Sequence, residues 1–219
     1  MSPRSAGARS RPPDRQAGIR FRRDELRDLG VAWLALGLAF TFFLYRPAAV
    51  RLAAAPGPAT LVGFLEPFAR SLLTVGLGFL LHELAHKVVA VRFGQVAEFR
   101  ADYGMLGLAV AAGLAGFLFA APGAVHHAGR LTERENGLIA LAGPATNLGL
   151  AALFLPLALL AEPLAAVGNL GVAVNLLLAA FNLIPFGPLD GRKVLAWSPV
   201  VFGVTFLPSA ALALSVFFG

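Results

Sequence analysis

A segment from Ser71 to Val91, apolar enough for a membrane interior, carries Leu81-His82-Glu83-Leu84-Ala85-His86 in its second half. Ionisable groups in such a place cost about 2.5–3.5 kcal/mol each on insertion scales, so a chain that keeps them there needs them for function. On a helix, residues four apart share a face one turn apart, so His82 and His86 can turn two imidazole nitrogens to a single metal ion. Glu83, one position on, reaches the same region. A zinc ion in a hydrolytic site takes three protein ligands and leaves a fourth position for water, whose proton a neighbouring carboxylate accepts. On a soluble helix these residues would read as a surface cluster; inside an apolar span they read as a metal site.

The remainder of the chain agrees with a membrane setting. Of 219 residues, 58% are hydrophobic and 14% charged, too little charge to cover a soluble domain of this size. There is no cysteine, which excludes disulfides, thiolate metal sites and a cysteine nucleophile, and leaves nitrogen and oxygen as metal donors. The net charge of +6 could suggest nucleic acid, but eight of the eighteen basic residues are arginines within the first 28 positions. That clustering suits a membrane-orienting arm, and no nucleic-acid partner is expected.

In order, residues 1–28 read as an Arg-rich, mostly disordered tail with a short amphipathic lead-in from Phe21 to Leu29, and 29–219 as the membrane domain. A cleavable signal peptide is not expected, since no small-residue cleavage site follows the apolar run. Leu29–Tyr45 is the first span, and Pro56-Gly57-Pro58 marks a loop. Thr60–Arg70 is apolar apart from the i,i+4 pair Glu66 and Arg70. After the Ser71–Val91 span, Gln95–Asp102 and Ala124–His127 alternate as short strands do. Adjacent residues on a strand point opposite ways, so His126 and His127 cannot both face one ion. Leu106–Ala121 holds sixteen residues with three glycines, about 24 Å of helix against a roughly 30 Å hydrocarbon core. Leu138–Ala161, Ala165–Ile184 and Val201–Phe218 are further spans. Asn147 and Asn175 read as interhelical hydrogen-bonding groups. The expected fold is an all-α polytopic membrane protein with about five to six transmembrane helices, a re-entrant segment and short β-strands near the site.

Two histidines need a third donor. Glu66 is tied to Arg70 and Glu162 sits in a loop beside Pro163, which leaves Asp190 in the break Pro185-Phe186-Gly187-Pro188-Leu189-Asp190-Gly191. Irregular backbone of this kind is tolerated at membrane depth only where protein buries it or water reaches it.

Together, His82-Glu83-Leu84-Ala85-His86 and Asn182-Leu183-Ile184-Pro185-Phe186-Gly187-Pro188-Leu189-Asp190-Gly191 resemble the paired motifs of the site-2 protease family of intramembrane zinc metalloproteases, and Gly143-Pro144-Ala145-Thr146-Asn147 resembles the small-residue motif between them. The resemblance covers roughly Leu72 to Val194. It implies one Zn(2+) per chain held by His82, His86 and Asp190, Glu83 as catalytic base, and Asn182 in contact with the substrate backbone or the oxyanion. It further implies a transmembrane protein as substrate, the lipid bilayer as surroundings, and hydrolysis of peptide bonds within or near membrane spans. The chain has no room for the PDZ or CBS domains many relatives carry, so a separate regulatory or adaptor protein is the expected substitute. The alternative class is a multi-span metal or proton transporter using the same buried His/Glu/Asp cluster, against which stands the lack of an internal repeat.

The ligands also constrain topology. His82 and His86 lie toward the C-terminal end of one span and Asp190 at the C-terminal end of another, so an even number of crossings must separate them. Leu138–Ala161 and Ala165–Ile184 supply two, which makes Leu106–Ala121 re-entrant or a tilted hairpin. With the N-terminus cytoplasmic in the cell membrane, that arrangement puts fifteen Lys/Arg inside and three outside, whereas a full crossing gives eleven and seven; the positive-inside rule favours the former. A topology reporter fused near Arg130 is accordingly expected on the cytoplasmic face, and its appearance on the external face would refute the arrangement.

Overall fold

The computed structural model describes residues 18–118 and 123–218. The chain is an all-α polytopic membrane protein with one two-stranded sheet among the described residues. Five helical segments are long and apolar enough to cross a membrane: Arg23–Leu44, Pro58–Arg92, Glu133–Ala158, Leu164–Asn182 and Pro199–Val216. Large apolar side chains such as Leu153, Val200, Val204 and Leu207 stand exposed, which acyl chains tolerate and water would not.

Helix α1 (Arg23–Leu44) begins six residues before the span start expected from sequence. The reason is that Glu25 and Asp28 are buried and satisfied, by Lys87, by backbone N–H groups of the sheet and by the Tyr103 hydroxyl, so the acidic first turn belongs to the folded body. Residues 1–17 of the expected disordered tail lie outside the described residues. A short α2 (Arg46–Ala54) leads to α3 (Pro58–Ser71), whose Pro58 stands in the first turn, where a missing N–H costs nothing.

The sequence divides Thr60–Arg70 from the span that follows, but the structure joins them: α3 runs through a π-helical turn, Leu72–Gly76, into α4 (Leu77–Arg92). At that turn the Trp33 indole donates to the Leu72 carbonyl at 3.1 Å, and the absence of a side chain on Gly76 makes room for the ring. The expected Glu66–Arg70 pair forms.

Strand β1 (Val96–Ala101) pairs antiparallel with β2 (Gly123–Ala128), Phe99 opposite Val125, within one residue of the expected strands. Between them α5 (Tyr103–Ala115) starts at Asp102, whose carboxylate accepts the Met105 N–H, and ends at Gly116 with φ +85°. Thirteen residues of helix reach only about 20 Å, too short to cross. It packs on α1, where Gly113 lies against the Ala39 carbonyl. The last three residues of the expected Leu106–Ala121 segment, 119–121, lie outside the described residues.

Helices α6 (Glu133–Ala158) and α7 (Leu164–Asn182) form the closest-packed pair, followed by α8 (Asp190–Trp197) and α9 (Pro199–Phe218). α6 opens with a reciprocal cap between Thr132 and Glu135. Gly168 lies against the backbone of Leu157 and Ala158, and Gly171 against the Phe154 ring. Backbone cannot yield, so Gly168→Leu is expected to destabilise the detergent-solubilised protein by about 1–3 kcal/mol in thermal unfolding. Gly149→Ala, where nothing lies within 4 Å of the added carbon, should leave it unchanged.

Candidate metal centre

Helix α4 brings His82 and His86 together as their spacing demands. Their rings stand nearly perpendicular, 85° apart, with the two Nε2 atoms 3.0 Å from each other. The other nitrogen of each ring is held by α6: His82 Nδ1 lies 2.6 Å from Asn147 Oδ1, and His86 Nδ1 lies 2.7 Å from the Ile139 carbonyl. The Asn147 amide nitrogen donates to the Gly78 carbonyl at 3.1 Å and to Asn175 Oδ1 at 2.9 Å. Asn147 therefore turns its oxygen to His82. Both acceptors being oxygens, each Nδ1 carries the proton and each Nε2 presents a lone pair. Asn175 is fixed in turn by donating to the Gly171 carbonyl.

Asp190 completes the cluster. The chain leaves α7, turns through Gly187 at φ +61° and re-enters helix at Asp190. Gly191 sits so close to the Leu183 carbonyl that no side chain fits there. Asp190 Oδ2 consequently stands 3.4 Å from His82 Nε2 and 3.1 Å from His86 Nε2, and all three residues are buried. Between the histidines and the aspartate lie two helices long and apolar enough to cross a membrane, α6 and α7.

Two imidazole lone pairs and a carboxylate, converging without a proton donor among them, repel one another unless a cation lies between. The donor set fits such an ion, because the ligand atoms lie within 4.8 Å of one another. Gly143 makes the space: a carbon added to it would come within 2.5 Å of both Nε2 atoms. Nearby, Lys193 Nζ lies 3.9 Å from the second oxygen of Asp190.

Glu83 is buried on α4 beside His82. Asn182 is half-buried and donates to the Leu178 carbonyl of its own helix at 2.9 Å; no hydrogen bond among the described residues links it to the three donors. His126 is exposed. What sequence reading understates is Asn147: taken as an interhelical group, it is the partner that orients His82. Its place in Gly143-Pro144-Ala145-Thr146-Asn147 was the available signal. The Ile139 carbonyl carried none, since backbone has no sequence identity.

Fold and site together define a membrane protein with a buried His/His/Asp centre, and comparison with known proteins places it further. The chain is 40% identical over 205 residues to a protein of Methanocaldococcus jannaschii provisionally named zinc metalloprotease MJ0611, a match covering 91% of this chain and 98% of that one. It is 33% identical over 146 residues to a Bacillus subtilis protein provisionally named zinc metalloprotease YwhC, covering 56% and 66%. A Mycobacterium tuberculosis protein provisionally named zinc metalloprotease Rip3 shares 40% over 121 residues, 52% of this chain and 27% of that one. No family model and no solved structure matches the chain. The chain belongs to the site-2 protease family.

If Asn147 sets the proton position of His82, Asn147→Ala should weaken metal retention about 10–100-fold in competition with a chelator. Gly143→Leu should abolish retention by filling the space over both nitrogens. Unaltered retention in Asn147→Ala would show that the His82 ring needs no such partner.

Proposed function

We propose that this chain is an intramembrane zinc metalloprotease that hydrolyses peptide bonds within or near the membrane-spanning segments of other proteins, as a step of regulated intramembrane proteolysis. The observation that carries the reading is the buried His82, His86 and Asp190 cluster with Glu83 on the same turn of α4. Its all-nitrogen-and-oxygen donor set, with three protein ligands, is the kind zinc uses in hydrolytic sites, and relatives carry metalloprotease names. One zinc ion per chain is the proposed stoichiometry, supported by one such cluster among the described residues.

When bound, zinc would polarise the scissile carbonyl and acidify a water molecule. Glu83 takes a proton from that water as its oxygen bonds to the carbonyl carbon, and delivers it to the amide nitrogen as the carbon–nitrogen bond breaks. His82 and His86 stay fixed by Asn147 and Ile139 throughout. Asn182 is assigned to the substrate backbone or the oxyanion, for which its amide leaves the Leu178 carbonyl. A substrate helix has to unwind before its peptide bond can be reached, and its freed backbone groups need partners in lipid. Addition of the unwound segment to the sheet edge supplies them. The proposed setting is the cell membrane, the N-terminus cytoplasmic, with a regulatory or adaptor protein as a separate partner.

The test is cleavage of tagged single-span substrates in membranes. Wild type should cut within the span, Glu83→Gln should keep its zinc and lose about 10²–10⁴-fold in rate, and a chelator should stop the wild type. Zinc bound with no substrate cut, together with metal flux across vesicles dependent on His82 and Asp190, would instead establish a transporter.

A further inference from the structure

The helix that carries His82 and His86 does not begin as a regular α-helix. In an α-helix the Leu72 carbonyl would take the N–H of Gly76; here it takes that of Leu77, five residues on, so the turn Leu72–Gly76 holds one residue more than an α turn. The turn lies inside the segment Pro58–Arg92, which is apolar enough to cross a membrane, and in lipid a distorted backbone must find its hydrogen-bond partners within the protein. Two side chains supply them. The Thr74 hydroxyl donates to the Arg70 carbonyl at 2.8 Å, and the Trp33 indole of α1 donates to the Leu72 carbonyl at 3.1 Å. Two glycines let α1 come close enough. A carbon added to Gly76 would lie 2.5 Å from the Trp33 ring, and one added to Gly37 would lie 2.4 Å from the Leu72 side chain.

The extra residue decides which side chains of α4 face the metal centre. Each residue of an α-helix advances about 100° around the axis and about 1.5 Å along it. If the turn relaxed to α with α1 and α3 held in place, every residue of α4 would advance by one position. The places of His82 and His86 would then fall to Leu81 and Ala85, which offer no metal ligand. Both histidines would leave Asp190, Asn147 and the Ile139 carbonyl, the groups that meet them now.

We propose that Trp33 is a positioning residue for the metal centre: by holding the Leu72 carbonyl it keeps the π-helical turn, and the turn sets the rotation at which α4 presents His82 and His86 to Asp190. The inference rests on the zinc reading above. It assigns α1, which contributes none of the three metal donors, a role in assembling them from the opposite end of the metal helix.

The experiment measures zinc retention against a chelator, and imidazole ligation by X-ray absorption, on full-length protein in lipid nanodiscs. Trp33→Phe removes the indole N–H and keeps an aromatic ring; it should weaken zinc retention about tenfold and reduce the imidazole signal. Gly76→Ala, which displaces the indole, should act in the same direction. Gly63→Ala, where nothing lies within 4 Å of the added carbon, should retain zinc as wild type does. The decisive variant combines Trp33→Phe with deletion of Leu73, whose side chain is 52% exposed. Four residues then fill the turn, an α-helix continues through it, and α4 recovers its rotation, so zinc retention and both imidazoles should return. Full retention in Trp33→Phe would overturn the inference, and so would a loss that deletion of Leu73 leaves unrepaired, since Trp33 would then matter through packing alone. A wild type that holds no zinc would overturn the underlying zinc reading instead.

Discussion

Two imidazole Nε2 atoms 3.0 Å apart, with a carboxylate oxygen on the same point, form a buried donor set that suits a cation between them. Much of the architecture follows from that requirement. Helix α4 must carry the histidines deep enough to be buried, α7 must end at the same depth so that Asp190 can meet them, and α6 must lie alongside to receive both Nδ1 protons. The short α5, with thirteen residues, is below the length that a membrane crossing needs.

Helix α6 serves the site mainly through what it lacks. Gly143 has no side chain where the imidazoles need room, and Pro144 has no N–H to give the Ala140 carbonyl, so the ladder is interrupted in the turn whose Ile139 carbonyl holds His86. On the opposite flank, α1 acts by charge. Glu25 and Asp28 are buried acids that would be costly alone, and each is satisfied by groups from α4, the sheet or α5. A buried ion pair of this kind is weak support for stability but strong in geometry, since losing one partner leaves the other uncompensated.

The legible part of this fold was the part written in side-chain type and spacing. His82 and His86 announced a helix face, hydropathy announced the spans, and the short polar alternation around Phe99 and Val125 announced the strands. Boundaries set by tertiary partners were not legible: nothing local says that Glu25 is inside, because its partner Lys87 is 62 residues away. The same holds for the continuity of α3 with α4, where a π-helical turn stabilised by Trp33 replaces the expected break. Asn147 could be seen as a polar group needing a partner, but which partner depended on packing. Asn182 shows the converse: family resemblance assigns it a role, while its hydrogen bond here stays within its own helix.

The central claim is that His82, His86 and Asp190 hold one zinc ion, and X-ray absorption at the zinc edge on the purified, Cys-free protein tests it most directly. The account predicts one zinc per chain with two imidazole nitrogens and light oxygen donors at about 2.0–2.2 Å, and loss of one imidazole from the spectrum in His86→Ala. A zinc shell with fewer than two imidazoles, or one that is identical in wild type and His86→Ala, would contradict it.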